Sequence, residues 1–68
     1  MTATFINRQY DGKFYYYDLV FSDENGDSLL RLVGVIFDSE PESQDFIDRG
    51  TKIANDNLPD YPLTDIIF

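Results

Sequence analysis

The chain has 68 residues, of which 13 are acidic and 5 basic, and its net charge is −8. This length allows one small domain, residues 1–68, with a lean core. Because cysteine and histidine are both absent, there is no disulfide framework, no thiolate or histidine metal site and no histidine base for a catalytic triad. Hydrophobic residues make up 43% of the chain and aromatic residues 16%, which is sufficient for a folded core.

Residues 2–37 are predicted to form three strands joined by two hairpins. The first two strands, Thr2–Tyr10 and Lys13–Ser22, flank the dipeptide Asp11-Gly12. The third strand, Ser28–Phe37, follows the dipeptide Asn25-Gly26. Both dipeptides are typical of two-residue type I′ turns, in which the two central residues have positive φ.

Packing gives the register of the second hairpin and leaves that of the first hairpin open. With Asn25-Gly26 at the centre of the turn, one face of the hairpin is apolar. The pairs on that face are Phe21 with Leu30, Leu19 with Leu32, Tyr17 with Gly34 and Tyr15 with Ile36. The other face carries Phe14, Tyr16, Asp18, Val20, Arg31, Val33, Val35 and Phe37, with Asp18 diagonal to Arg31. In the first hairpin, a two-residue turn places Ile6 opposite Tyr17, whereas a three-residue loop places Phe5 opposite Leu19.

The periodicity changes after residue 38 and predicts an amphipathic helix. Ser39-Glu40-Pro41-Glu42 has the pattern of a capping box with Ser39 as the N-cap and a proline in the first turn. Apolar residues then recur at spacings of three and four. They are Phe46, Ile47, Gly50, Ile53, Ala54 and Leu58. The pairs Asp45/Arg49 and Asp48/Lys52 have the spacing of helical ion pairs.

The helix is expected to end near residue 58. Asn57 can adopt the left-handed conformation of a helix C-terminus, and Pro59 prevents continuation. The apolar segment Leu63–Phe68 is long enough for a fourth strand. The predicted fold is therefore α+β, with the order βββα(β): an antiparallel three- to four-stranded sheet with one helix packed on one face. The uncovered sheet face is a candidate interface.

Catalysis, metal binding and nucleic-acid binding have little support in the sequence. The serines have no histidine to activate them, so we expect no catalytic residue and no enzymatic activity. The segment Asp23-x-Asn25-x-Asp27 imitates the start of a calcium loop, but Ser28 and Gly34 occupy the positions that require glycine and glutamate. We therefore expect no metal and no cofactor. The five basic residues are scattered, which argues against direct binding of nucleic acid.

The acidic residues carry the main functional signal. They form two clusters, one around the second turn and one around the start of the helix. Within each cluster, neighbouring carboxylates are about 5–7 Å apart, a spacing that can imitate a row of phosphates. Tyrosine is enriched at protein interfaces. The predicted partner-binding residues are Asp23, Glu24, Asp27, Asp38, Glu40, Glu42, Asp45, Asp48, Tyr16 and Tyr61.

In size, acidity and aromatic content the chain resembles small inhibitor proteins of bacteriophages, especially anti-CRISPR proteins and anti-restriction DNA mimics. The resemblance lies in Asp23-Glu24-Asn25-Gly26-Asp27 and Asp38-Ser39-Glu40-Pro41-Glu42. It implies a non-enzymatic inhibitor that uses its acidic surface to block the DNA-binding or PAM-reading surface of a CRISPR-Cas effector (Cascade or Cas), or that holds the effector's subunits in an inactive arrangement. The implied partner is a basic nucleic-acid-binding protein, and the tyrosines would supply the hydrophobic hot spot.

Two other classes of function remain open. An immunity protein or antitoxin would use the same acidic face against a basic nuclease toxin, and a small structural module would associate through the uncovered sheet face or Leu63–Phe68. The N-terminus does not resemble a signal peptide, and the longest apolar run, Leu32–Phe37, is too short to span a membrane. We therefore expect a cytoplasmic protein, in the host bacterium if phage-encoded, that binds no membrane and is a monomer or a weak homodimer.

Overall fold

A computed structural model describes residues 1–68 as a four-stranded sheet with one helix packed against it. The elements are β1 (Thr2–Tyr10), β2 (Tyr15–Ser22), β3 (Ser28–Phe37), α1 (Ser43–Asn57) and β4 (Asp65–Ile67). The strands lie in the order β3-β2-β1-β4. The α+β class and the single helix on one face are thus confirmed. No helix in the structure has both the length and the apolar character that crossing a membrane requires.

The fourth strand lies parallel to β1, so the sheet is mixed. Thr2 pairs with Asp65 and Thr4 with Ile67, whereas β1–β2 and β2–β3 are antiparallel. The reason is the path of the chain: β3 ends at the opposite end of the sheet from the start of β1, and α1 brings the chain back. Because β4 begins at the same end of the sheet as β1, it must run in the same direction as β1. The predicted sheet was antiparallel throughout, which is wrong for this short strand.

The core lies between the helix and one sheet face, which we call the covered face. Its buried side chains are Ala3, Phe5, Tyr17, Leu19, Phe21, Phe37, Phe46 and Ala54. Phe46 of α1 contacts the rings of Phe5, Tyr17 and Phe37, with ring centroids 5.0 to 5.5 Å apart. Gly50 lets the helix approach β4, because a Cβ there would lie 3.3 Å from Cδ1 of Ile66. The predicted helix stripe is mostly buried, but Ile47 is 39% exposed.

The second hairpin has the predicted pairs near its turn but not the predicted turn. Phe21 pairs with Leu30 and Leu19 with Leu32. The backbone N–H of Asp23 donates to the carbonyl of Asp27, and only Gly26, with φ +85°, is left-handed. A type I′ turn needs positive φ at Asn25 as well. The loop is therefore three residues long, and an irregularity between Phe21 and Ser22, opposite Leu29, restores the predicted register.

A bulge in β3 changes which side chains reach the core. Val33 and Gly34 together lie opposite Asp18, and Gly34 has φ +76°. Beyond the bulge Tyr17 pairs with Val35, and Tyr15 pairs with Phe37. The predicted pairs Tyr17–Gly34 and Tyr15–Ile36 are therefore wrong, because one extra residue moves every later side chain to the opposite face. Phe37 is buried in the core, and Ile36 is exposed on the uncovered face, which we call the open face.

A second bulge, in β1, settles the register of the first hairpin. Phe5 pairs with Leu19, as the three-residue alternative required, but the loop Asp11–Phe14 contains four residues. Asn7, with φ +57°, and Arg8 together lie opposite Tyr17 and account for the extra residue. Asp11 has no positive φ and instead accepts hydrogen bonds from two backbone N–H groups of its own loop, so this turn is not type I′ either.

The helix begins later than predicted. Its N-cap is Glu42, and Oδ2 of Asp45 accepts a hydrogen bond of 2.8 Å from the Glu42 N–H. An N-cap at Ser39 would require Glu40 to be helical, but a residue before proline is sterically disfavoured in that conformation. Pro41 therefore precedes the helix, and the prediction of Ser39 as the cap is wrong.

The charged side chains of α1 also have other partners than predicted. The pairs Asp45/Arg49 and Asp48/Lys52 are absent from the ion pairs of the structure; instead Lys52 pairs with Asp56 at 3.0 Å. Arg49 donates to the carbonyl of Ile36 and lies over the ring of Phe37. At the C-terminus Asn57 is not left-handed, and the N–H of Leu58 closes the helix on the carbonyl of Ala54.

Candidate protein-binding surface

The second turn forms an acidic tip at one end of the molecule, made of Asp23, Glu24 and Asp27. None of these three carboxylates has an ion-pair partner. Asp23 also holds the turn together, because its Oδ1 accepts hydrogen bonds of 2.9 Å from the N–H groups of Asn25 and Asp27. Glu24 and Asp27 are exposed at the surface. The tip is therefore a fixed loop with outward-facing negative charge.

The acidic tip lies beside one of the two tyrosines selected from the sequence. Tyr61 is 45% exposed and lines a surface groove of about 380 Å³ together with Asp23 and Glu24. The loop that carries Tyr61 reaches this end because α1 returns there before β4 starts beside Thr2. An aromatic ring next to unpaired carboxylates combines the apolar and charged contacts of a protein interface.

The second acidic cluster lies around the start of α1, at the other end of the sheet. Its members are Asp38, Glu40, Glu42, Asp45 and Asp48, all of them exposed. Three have bonds within the protein. Glu40 pairs with Arg8 at 3.5 Å, Asp45 accepts the N–H of Glu42, and Asp48 accepts a hydrogen bond from Gln44. Because β3 separates the two predicted clusters in a molecule 36 Å long, they form two patches at opposite ends.

All five basic side chains are engaged away from the acidic tip. Arg8 and Lys52 belong to the ion pairs described above, and Arg49 donates a hydrogen bond at the end of β3. Lys13 lies over the ring of Phe14, and Arg31 pairs with Asp18 at 2.9 Å, as the diagonal arrangement predicted. Only three of the 13 acidic side chains form ion pairs, so ten carry uncompensated charge.

Tyr16, the other selected tyrosine, lies on the open face far from the acidic tip. Its hydroxyl donates a hydrogen bond of 2.7 Å to Oδ2 of Asp11. This bond raises the pKa of Tyr16 above its ordinary value of 10.0. The N–H of Phe14 and the hydroxyl of Tyr16 lower the pKa of Asp11 below 3.8. Both shifts favour the protonation states that these groups already have at neutral pH, so neither group is tuned for proton transfer there.

At the centre of the open face, the predicted contact between Asp18 and Arg31 is part of a larger polar cluster that includes Asn7, which the sequence did not indicate. Oδ2 of Asp18 accepts hydrogen bonds of 2.8 Å from Asn7 and 2.9 Å from Arg31. The bond from Asn7 is the larger cause of a lowered pKa at Asp18, and those from Arg31 and the backbone of Gly34 add to it. The two bulges flank Asp18 on either side and border a shallow concavity of about 460 Å³. A glycine inside an apolar strand was the one signal in the sequence for this feature.

Nothing in the structure resembles a metal centre, since no three acidic side chains converge as ligands. The described surface can instead make three kinds of contact: carboxylates at the acidic tip, carboxylates at the helix start, and apolar side chains on the open face. The exposed apolar side chains on the open face include Val33 and Ile36.

Comparison with protein-family models, curated proteins and solved structures gave no match to this chain.

Proposed function

We propose that the protein is a non-enzymatic inhibitor that binds a basic, nucleic-acid-binding protein and excludes the nucleic acid from it. The observation that carries this proposal is the acidic tip: three carboxylates without ion-pair partners, next to exposed Tyr61, while every basic side chain is engaged elsewhere. Such a surface attracts a positively charged groove and supplies an aromatic anchor once the two proteins touch.

The charge density supports imitation of one nucleic-acid strand. A net charge of −8 along the 36 Å axis is one negative charge per 4.5 Å. In DNA each strand carries one phosphate per about 3.4 Å, and a duplex carries one per about 1.7 Å. Averaged over its length, the molecule therefore has a charge density close to that of a single row of phosphates, and the three carboxylates of the acidic tip can occupy part of a positively charged groove.

The target class that we propose is a CRISPR-Cas effector in a bacterial cytoplasm, in line with the resemblance to phage inhibitors. The DNA-binding channel of such an effector is positively charged and recognises a nucleic-acid backbone. An immunity protein against a basic nuclease toxin would use the same acidic tip, so the identity of the captured target distinguishes these two. The exposed open face, with Val33 77% and Ile36 46% exposed, favours self-association as a second candidate.

The experiment is a pull-down from bacterial lysate followed by a binding assay with the purified target. Because Asp23 bonds its own turn, the tip variant is Asp23→Asn with Glu24→Lys and Asp27→Lys. The matched variant at the helix start is Asp38→Asn with Glu40→Lys and Asp48→Lys, which spares the cap at Asp45. Each variant removes one negative charge and reverses two, so both have a net charge of −3.

We expect the tip variant to lose target binding while the helix-start variant keeps most of it. Loss of one desolvated, hydrogen-bonded charge pair typically weakens binding by about 2–5 kcal/mol, so the tip variant should lose at least that much. Duplex DNA should displace the wild-type protein, and high salt should weaken capture. If the tip variant binds the target as tightly as the helix-start variant does, the acidic tip has no special role. If the pull-down captures protein that binds only more strongly in high salt, the self-association candidate is favoured.

A further inference from the structure

One edge of the sheet, the outer side of β3, carries an unpaired stretch of backbone. The strand order places β2 on one side of β3 and no strand on the other. The far end of the edge is already occupied, because Arg49 donates to the carbonyl of Ile36. The bulge at Val33 and Gly34 interrupts the regular edge just before it. The free edge between the acidic tip and this bulge is therefore the five residues Ser28–Leu32, of which Leu30–Leu32 pair with β2 in continuous register.

The charges around this edge differ from those of the rest of the molecule. Ser28–Phe37 contains no acidic residue, and its one basic residue, Arg31, is paired with Asp18. The acidic tip immediately precedes Ser28 in the chain, whereas Val33, 77% exposed, follows Leu32. The edge thus has negative charge at one end and an apolar side chain at the other.

We propose that Ser28–Leu32 binds an extended segment of the partner protein as an added antiparallel strand. Basic side chains at the C-terminal end of that segment would lie against the acidic tip, and an apolar side chain near its N-terminal end would cover Val33. This inference rests on the proposed function and deepens it, because it states which feature of the target is bound. Main-chain hydrogen bonds along a sheet edge provide affinity, and the flanking side chains provide specificity.

Charge complementarity selects a basic segment over a second copy of the chain. A second copy would bring a further net charge of −8, and its basic side chains are all engaged in contacts of their own. It would leave the acidic tip without a positive partner. A segment that ends in lysine or arginine neutralises the tip and places its apolar part along a stretch that has no acidic residue.

The probe is a nine-residue peptide of alternating valine and threonine that ends in two lysines, with both termini blocked. A control peptide carries two glutamates in place of the lysines. Binding to the full-length protein is followed by NMR titration, and amide hydrogen exchange identifies the backbone N–H groups that become protected. We expect the lysine peptide to bind and to protect amides of Ser28–Leu32, and the glutamate peptide to bind at least roughly tenfold more weakly.

Two variants separate strand addition from charge attraction. Val33→Glu places a carboxylate where the apolar contact is expected, and Thr51→Glu adds the same charge on the exposed side of α1. General attraction of a basic peptide would be equal or stronger in both variants. Strand addition predicts that Val33→Glu binds the lysine peptide roughly tenfold more weakly than Thr51→Glu does. Circular dichroism of both variants confirms that they remain folded.

The outcomes distinguish this proposal from the proposed function. If the peptide binds but protects no amide of β3, or if both variants bind equally, strand addition is overturned while the acidic tip keeps its role. If Val33→Glu weakens binding but the tip variant does not, the edge binds a strand and the charge-based function fails. Absence of peptide binding overturns the inference. It is also overturned if sedimentation detects a dimer without peptide and the β3 amides are protected in that dimer.

Discussion

Asp18 holds together the part of the sheet where both neighbouring strands are irregular. Each bulge contains one residue with positive φ, Asn7 in β1 and Gly34 in β3. Asn7 donates a hydrogen bond to the Asp18 carboxylate, and the backbone of Gly34, on the other side of β2, contributes to the lowered pKa of Asp18. A single side chain therefore ties the two irregularities together, and its Oδ2 carries the bond to Arg31 as well. We infer that Asp18 is ionised because these donors all favour its charged form.

Replacement of Asp18 by asparagine should make the stability of the protein less dependent on acid pH. The folded-state pKa of Asp18 is lowered below 3.8, so its stabilising effect is complete above that value and is lost as the pH falls through the lower folded pKa. Asp18→Asn should lower the Tm at pH 7, and the difference from wild type should shrink below pH 3.8. Thermal melts followed by circular dichroism between pH 7 and pH 2 measure this.

Asp56→Asn provides the matched control for that experiment. Asp56 pairs with Lys52 on the exposed side of α1, where its side chain is 60% exposed against 15% for Asp18. Exposed helical pairs of this kind contribute at most about 0.5 kcal/mol. A constant Tm difference between wild type and Asp18→Asn over the whole pH range would show that the charge of Asp18 is not what stabilises the two bulges.

The helix is attached to the sheet mainly through one aromatic side chain. Phe46 is 8% exposed and contacts three aromatic rings of the covered face. It also stacks on Phe68, which follows β4, at a centroid distance of 4.9 Å. Phe46 is thus the contact shared by α1, the antiparallel strands and the C-terminal segment. Its removal should loosen all three at once.

Phe46→Ala should therefore destabilise the protein by about 3–5 kcal/mol. The total stability expected for 68 residues is roughly 3–10 kcal/mol, so much of the variant should be unfolded at 37 °C. The neighbouring variant Ile47→Ala, at a position 39% exposed, should cost about 1 kcal/mol or less. Urea denaturation of both variants provides the test, and similar losses in the two would contradict the central position of Phe46.

The elements themselves could be read from the sequence, but their irregularities could not. Gly26 and the helical periodicity of Phe46 and Ala54 are local signals, and both placed their elements correctly. Gly34 is a local signal for an irregularity in β3, but the extra residue opposite Asp18 follows from the pairing with β2, which no local pattern encodes. For the same reason the sequence could not predict that Phe37 is buried. The helix start was predictable in principle, since Pro41 restricts the residue before it.

At the scale of the whole molecule, the topology decides how the acidic residues are distributed. In the sequence, the tip and helix-start acids are two clusters separated by one predicted strand, Ser28–Phe37. In the structure, β3 carries them to opposite ends of a molecule 36 Å long. The two clusters were therefore predictable from the sequence, while their placement at opposite ends of the molecule required the fold. This separation lowers the repulsion between the clusters without removing it.

The repulsion that remains predicts that salt stabilises the folded protein. The Debye length is about 30 Å at 10 mM salt and about 8 Å at 150 mM, so only the dilute solution lets the two ends of the molecule repel each other. Adding NaCl from 10 to 150 mM should raise the Tm; a gain of about 1 kcal/mol corresponds to about 4–8 °C in a chain of this size. The tip variant, with a net charge of −3, should show a smaller rise. If the Tm of the wild type stays constant or falls with salt, repulsion among the unpaired acidic side chains does not destabilise the folded state. Their placement at opposite ends is then sufficient to keep that repulsion small.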